Sequence, residues 1–561
     1  MSFLKDIFAR LESARDTVLV QELREDQTVS VSGRELLDLI TKARIFLANQ
    51  GLKKGDRCAL LAHNSIRWMA MDFAMMAEGI IVVPLYARQA PAELVAMMKD
   101  SSPALLCCGD GALRDAILQN WKEAPPRVLF EEIFAKGKSN DLTRDANKAE
   151  PSAQNKAQLA DSDTVTIIYT SGTSGEAKGV VLNSANISFM LGCTSRRLDT
   201  LMKNRAGQDR VYHYLPFAFG ASRIALFTYL LRGSLVMLNT DLSKIASEMP
   251  TVAADYFLNV PALLERMRKA VDEQLVKKGG IALRIYNRGK AAWLRKRSGK
   301  AGIADTIWLA CANAIVFPAI RKKMVGPNLK ALISGSAPLA VETQLYFMTL
   351  GIPVLQVYGL TETTGICTMD DPDHVVPGRV GPAINGMEMM FGENEEIIIK
   401  GPNVFPGYWN RPQETAKALR DGWFYTGDQG EVDSNGNWRI IGRIKNLVIL
   451  SSGHKLSPEP IEDELLKNIP GAQQVVLMGN GHGYLSAIVT GKVSREQVQG
   501  GLDVVNPGLP HYKQVRAFFI QEESFSVENG LLTANGKLKR DLIASRLKSE
   551  IEQMYQVRQA V

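Results

Sequence analysis

Cysteine is scarce in this chain, and its placement excludes more than its number does. The six cysteines among 561 residues (Cys58, Cys107, Cys108, Cys193, Cys311 and Cys367) lie in apolar or motif segments without paired metal spacing. A zinc centre is therefore not expected, and reduced thiols in a cytoplasmic protein are. Charge of one sign is also lacking: 66 basic against 59 acidic residues leave +7, which favours anionic ligands or surfaces without demanding nucleic acid. With 46% hydrophobic residues and no repeats or low-complexity tracts, disorder is excluded. The N-terminus, Met-Ser-Phe-Leu-Lys-Asp, lacks the apolar core of a secretory signal. Long apolar runs are missing too. The two richest, Gly79 to Ala87 and Cys311 to Ile320, each contain proline and fall short of the roughly 20 residues that cross a bilayer, so no spanning helix is expected.

What is present reads as an α/β protein of at least two domains. Helix-like segments (Gly33 to Asn49, Ile66 to Ala77) alternate with short β-branched runs (Arg57 to Leu61, Ile80 to Pro84), which predicts parallel sheets covered by helices. The polar stretch Lys136 to Asp163 reads as a surface connector. Beyond residue 385 the pattern turns hairpin-rich, through Glu395 to Lys400, Gly430 to Val432 and Trp438 to Ile441, and predicts a change to a β-barrel-like subdomain. The last stretch, 445–561, is long enough for a small α+β domain after a large one spanning 1–444. One segment stands apart: Arg266 to Lys300 is rich in Lys and Arg with Ile285, Tyr286, Trp293 and Leu294 interleaved, either a solvated helical insertion or a membrane-surface patch.

Residues 169 to 179, Tyr-Thr-Ser-Gly-Thr-Ser-Gly-Glu-Ala-Lys-Gly, form a Gly/Ser/Thr-rich loop between two apolar runs. Gly172, Gly175 and Gly179 let successive N–H groups point at an anion, Thr170, Ser171, Thr173 and Ser174 add hydroxyls, and Lys178 adds charge. A polyphosphate site is one reading and a polar hairpin turn the other. The usual P-loop is excluded, because Ala177 and Gly179 flank the lysine where Gly and Ser or Thr are required.

Five separated motifs together resemble the adenylate-forming superfamily of acyl-CoA synthetases, luciferases and peptide-synthetase adenylation domains. They are the loop above, Tyr-Gly-Leu-Thr-Glu-Thr (358 to 363), Trp-Phe-Tyr-Thr-Gly-Asp (423 to 428), Gly-Arg-Ile-Lys-Asn (442 to 446) and Asn-Gly-Lys-Leu-Lys-Arg (535 to 540). The resemblance implies an enzyme in which a carboxylate attacks the α-phosphate of ATP, pyrophosphate leaves, and a thiol takes the acyl group from the adenylate. It implies Glu362 as the Mg²⁺ carboxylate, with Thr170 beside the metal, and Thr361 and Thr170 as donors to phosphate. Asp428 is implied as the ribose acceptor, Arg443 on the ribose or pyrophosphate side, and Tyr358, Gly359, Gly335, Ser336 and Ala337 around adenine. Lys537 is implied as the adenylation catalyst, carried by a mobile small domain that turns about Lys445 and then presents the loop holding Ser452 and Gly453 to the pantetheine arm of coenzyme A.

Within the superfamily the chain looks most like long-chain fatty acyl-CoA synthetases, through Leu332-Ile333-Ser334-Gly335-Ser336-Ala337-Pro338-Leu339, Ile352-Pro353-Val354-Leu355-Gln356-Val357-Tyr358-Gly359 and the basic insertion. It departs from their Leu-Pro-Leu-Ala-His and following Glu-Arg, reading Leu215-Pro216-Phe217-Ala218-Phe219 and then Ser222-Arg223. Phe217, Phe219 and Gly220 are the candidate acyl-pocket residues, with plain core as the alternative for both rings. The implied partners are a fatty or other carboxylic acid and coenzyme A. A carrier-protein phosphopantetheine or an amine is the alternative acceptor, and peripheral attachment at the inner membrane face the alternative to a freely cytoplasmic location.

Overall fold

Two mixed sheets carry most of the chain, and the segments that alternate in sequence are the ones that interleave in space. The structure, a computed structural model, describes residues 2–25, 27–135, 159–171, 177–203, 205, 207–533 and 536–556. The expected connector at 136–163 therefore falls largely outside the described residues, as do Gly172, Thr173, Ser174 and Gly175. One sheet has six strands in the order Arg127–Leu129, Leu105–Cys108, Arg57–Leu61, Ile81–Leu85, Thr164–Ser171, Ala177–Asn183. The other has eight: Thr368–Met369, Val354–Tyr358, Ala331–Ser334, Tyr256–Asn259, Arg210–His213, Leu235–Asn239, Val18–Leu23, Thr28–Ser32. Their interiors are parallel, as expected, but three edge pairs are antiparallel. The reason is connection length, since the residues joining Thr164–Ser171 to Ala177–Asn183 are too few for a crossover.

The main core lies where both sheets meet the helices Phe3–Ser13, Gly33–Asn49, Ile66–Ala77, Ser184–Met202 and Gly220–Arg232. Ile66–Ala77 is buried on every side, which suits its nearly continuous apolar sequence. Apart from the exposed Arg67 in its first turn, its charge is Asp72, which forms a buried ion pair with Arg223 of Gly220–Arg232, and Arg223 Nη1 also donates to Thr166 Oγ1 at 2.5 Å. Arg223, which stands beside the departing Ser222, thus builds a strut between two helices and a strand.

Beyond residue 385 the architecture changes as expected, to an antiparallel sheet of Glu388–Phe391, Glu396–Lys400, Trp423–Val432, Leu419–Arg420 and Trp438–Arg443. Leu419–Arg420 and Trp438–Arg443 both pair with the long strand Trp423–Val432, which also pairs with Glu396–Lys400. From Val448 onward the chain buries two cores of its own around the three-stranded sheet Gln474–Met478, Leu485–Thr490, Val515–Gln521.

The basic segment is helical: Pro261–Lys278 and Gly280–Arg297 lead into an apolar helix, Ile303–Val325, interrupted by a π turn at Ala312–Val316. Here the structure corrects the sequence. This helix of 23 residues, with an 18-residue stretch of mean hydropathy 1.7, is by length and composition sufficient to cross a membrane. Pro318 hides the continuity, but it falls just after the π turn, at the start of Phe317–Val325, where its missing N–H breaks little.

Candidate active site

The cleft is assembled from four chain segments, each held in place by a close backbone approach. Strands Thr164–Ser171 and Ala177–Asn183 form a hairpin whose register sets Thr170 opposite Lys178 and Ser171 opposite Ala177. A side chain at Gly179 would put its Cβ 2.7 Å from Ile167, so only glycine lets the hairpin close against its neighbours. Lys178 Nζ is paired with Glu414 at 2.5 Å and lies 5.3 Å from the centre of the Tyr408 ring.

The neighbouring wall comes from two adjacent strand ends. Ala331–Ser334 runs into Gly335-Ser336-Ala337, with Ser336 in the left-handed region at φ +70°, and a Cβ on Gly335 would stand 2.6 Å from Val357. Val354–Tyr358 runs into Gly359, where a Cβ would meet Gly365 O at 2.3 Å. That approach folds Thr361–Thr363 into a single 3₁₀ turn and presents Thr361 and Glu362. Tyr408 donates its hydroxyl to Glu362 Oε1 at 3.0 Å, and among the described residues Oε2 has no hydrogen-bond donor. Thr361 packs against Gly220 at the start of Gly220–Arg232.

The third segment supplies the buried carboxylate. Strand pairing sets Asp428 beside Arg443, whose Nε is 2.6 Å from Oδ1, while Tyr358 donates its hydroxyl to Oδ2 at 2.6 Å. Burial pushes the Asp428 carboxyl up, and Arg443, Tyr358, Lys537 and Lys445 oppose it. Each oxygen keeps acceptor capacity, because a carboxylate offers about four lone-pair sites. Tyr358, anticipated around adenine, is thereby tied to the ribose candidate as well.

The fourth segment arrives from the far end of the chain. Lys537 N donates to Thr533 Oγ1 at 3.1 Å and its carbonyl accepts from Thr533 N at 2.8 Å, a tight turn with Gly536 at φ +74°. The amine keeps access to solvent at the mouth of the cleft, yet enough protein rings it that burial and Arg443 lower its pKa, against the pull of Asp428 and Glu362. Lys445 is lowered to about 8 by burial, Arg443 and its cationic neighbours. Ser452 and Gly453 instead occupy an exposed turn, Gly453 at φ +83°, with Ser452 bonded to His454 and His454 stacked on Tyr512.

Beyond Gly220 and Thr361 lies an apolar cavity of about 60 Å³ lined by Ala221, Ile224, Ala225 and Tyr229 of one helix, Leu198 of another, and Ile333, Val357 and Ile366. The two threonine hydroxyls on its wall, Thr194 and Thr228, bond to each other at 2.7 Å. Phe217 does not line it. That ring is fully buried between Trp68 and His213, so the core alternative holds there, while Phe219 packs on Tyr86. Neither Tyr408 nor Glu414 was a candidate from sequence: they stand on a loop and a short helix far along the chain from their partners, where no periodicity marks them.

The pattern of the AMP-binding enzyme family matches residues 9–409, and that of the AMP-binding enzyme C-terminal domain matches 445–559. The chain belongs to the AMP-binding enzyme family. It is 25% identical over 581 residues to the long-chain-fatty-acid–CoA ligase FadD15 of Mycobacterium bovis, covering 98% of this chain and 96% of that protein. It is 26% identical to the long-chain-fatty-acid–CoA ligase ACSBG2 of Rattus norvegicus, covering 92% and 87%. In fold this AMP-binding enzyme is similar to the O-succinylbenzoate coenzyme A synthetase MenE of Bacillus subtilis in complex with AMP, with TM-score 0.72, 21% identity and coverage of 96% and 97%.

Proposed function

We propose that the chain is an ATP-dependent acid–CoA ligase whose acid is an aliphatic, fatty carboxylic acid. One observation carries the choice of acid: the cavity is lined almost wholly by apolar side chains, and its wall residues Ala221 and Gly365 stand next to Gly220 and just after the Thr361–Thr363 turn, so an acyl chain entering it would keep its carboxylate on the side of the turn that presents Glu362. The names of the curated relatives support the same class and the use of coenzyme A.

The residues divide the work by charge. Asp428, held rigid by Arg443 and Tyr358, accepts the ribose hydroxyls, and Thr170, Lys178 and Thr361 receive the phosphates. The described residues contain no cluster of three or more metal-binding side chains, and a single carboxylate with a free oxygen suits Mg²⁺, which binds through one or two carboxylates beside substrate phosphates. Glu362 would hold that ion, with Thr170 nearby. When bound, the ion supplies neutralisation of phosphate charge. The acid's oxygen forms a bond to the α-phosphorus as the bond to pyrophosphate breaks, and the Lys537 ammonium balances the charge that gathers on the oxygens between them. Rotation near Lys445 then removes Lys537 and brings the Ser452-Gly453 turn to the cleft, where the thiol sulfur attacks the acyl carbon, AMP leaves and the thiol proton goes to solvent.

Pyrophosphate release, measured from acetate to palmitate and with aryl acids, with and without coenzyme A, tests this. Release that is greatest with aliphatic acids and becomes catalytic only with coenzyme A is expected, and Ala225→Trp should shift preference to shorter chains. Preference for aryl acids overturns the choice of acid. Single-turnover release indifferent to coenzyme A overturns the acceptor.

A further inference from the structure

Most of the highly exposed apolar side chains among the described residues fall in one stretch of the chain. Among the described residues, five of the six most exposed large hydrophobics lie between 276 and 315, with Ile303 at 85%, Ile307 at 60% and Ile315 at 63%. From Thr306 to Ile320 there is no charged residue, and the exposed positions there are Thr306, Ile307, Ala310, Asn313, Ala314, Ile315, Pro318 and Ala319. The opposite face of the same helix is occupied: Leu309, Ala312, Val316 and Phe317 pack into the core shared with Tyr286 and Ala292 of Gly280–Arg297. The helix is thus docked on the protein by one side and leaves an apolar strip on the other.

Charge frames that strip. Lys296, Arg297 and Lys300 lie exposed just before it, and Lys322 and Lys323 just after it. From 266 to 300 the sequence holds twelve basic and two acidic residues, and among the described residues only Arg295 of the twelve forms an ion pair, with Asp305. Unpaired ammonium and guanidinium groups at both ends of an apolar strip match a surface with anionic headgroups over an acyl interior. They match a second copy of this face poorly, because two such faces bring like charges together. A bilayer crossing would require stripping the helix from its packed neighbour and burying the π turn's backbone in lipid.

We propose that the exposed side of Ile303–Val325, with its flanking lysines and arginines, seats the enzyme on the surface of an anionic lipid bilayer without spanning it. The test is sedimentation of the full chain with vesicles of phosphatidylcholine alone and of phosphatidylcholine with phosphatidylglycerol. Anionic vesicles should bind it at least about tenfold more tightly, and raising salt from about 0.1 M to about 1 M should release most of it. Ile307→Asp with Ile315→Asp, and separately Lys296→Gln with Arg297→Gln and Lys300→Gln, should each lower binding about tenfold. Both variants alter exposed positions and should keep adenylation of a water-soluble short acid, which reports that they fold. No binding to anionic vesicles, equal binding to neutral ones, or full binding by both folded variants overturns the assignment. Retention through salt and alkaline carbonate indicates a spanning helix and overturns it, as does a soluble dimer that Ile307→Asp dissolves.

Discussion

The cleft and the helical insertion hold positive charge in opposite ways. In the cleft and its supports four cations have a carboxylate at contact distance: Arg443 on Asp428, Lys178 on Glu414, Arg540 on Glu462, Arg223 on Asp72. In the insertion most cations are exposed, and among the described residues only Arg295 has one. Paired charges in a confined space are preorganised, so they act on a substrate without rearranging. Unpaired charges at a surface keep their hydration and respond to whatever anion approaches. The first arrangement suits chemistry and the second suits docking.

The comparison is broken most severely at Lys537, a cation of the cleft that arrives from the C-terminal region and has no carboxylate at contact distance among the described residues. Lys537→Ala is expected to slow pyrophosphate release by about 10²–10³-fold, the scale seen when a preorganised transition-state donor is removed. The same variant should still make thioester from supplied acyl adenylate and coenzyme A. Its lowered pKa also sets a sign: the ammonium is lost earlier than in a free lysine, so adenylation falls on the alkaline side below the ordinary lysine range. Lys537→Arg should move that limb to higher pH. Loss of both half-reactions in Lys537→Ala would deny the division of labour.

Next in size is the buried strut. Asp72→Asn leaves the Arg223 guanidinium buried without a counter-charge, and urea unfolding should show a loss of about 3–5 kcal/mol. Replacing both, Asp72→Leu with Arg223→Met, should recover most of that, since a packed apolar pair avoids the desolvation cost. Full loss in the double variant would mean that the pair contributes more than mutual compensation.

What the sequence could show of this follows from range. Segments governed by local periodicity were legible almost to the residue, as with Gly33–Asn49, Arg57–Leu61 and Ile66–Ala77. The motif residues Glu362, Asp428, Arg443 and Lys537 were legible because each stands in a recognisable run, and their convergence in one cleft is what the fold adds. Tyr408 and Glu414 were not, because a donor 46 residues from its acceptor leaves no local mark. Phe217 stayed ambiguous for a related reason: alternate aromatics look the same whether they face a cavity or a core. The apolar helix was concealed by Pro318, whose cost vanishes only once the π turn before it is seen.

Tyr408 sharpens the comparison at finer scale, since it joins the Lys178 side of the cleft to Glu362. Tyr408→Phe removes one hydrogen bond to a carboxylate, about 1.5–3 kcal/mol at most. Solvent at the cleft can replace part of it, so a several-fold rise in the Mg²⁺ concentration for half-maximal pyrophosphate release is expected. An unchanged Mg²⁺ response would remove Tyr408 from any role in orienting Glu362.

The smallest effect is expected at a group that shares the cleft's rule without touching its chemistry. His213 is buried beneath Phe217, with Nε2 close to Leu215 O at 2.9 Å and Ser222 Oγ at 3.0 Å, and burial lowers its pKa to about 4. Between pH 6.5 and about 4 the unfolded chain takes up a proton that the folded chain refuses, so the histidine's contribution to stability is complete above pH 6.5 and declines as pH falls through that window. His213→Gln keeps a donor for the Leu215 carbonyl but cannot titrate there. Its urea midpoint should lie below that of the parent at pH 7.5, and the gap should narrow toward pH 4.5. A gap independent of pH would mean that His213 takes up its proton equally in the folded and unfolded chain, and below pH 6.5 a cation without a counter-charge would then stand in the main domain, against the pairing that distinguishes it from the insertion.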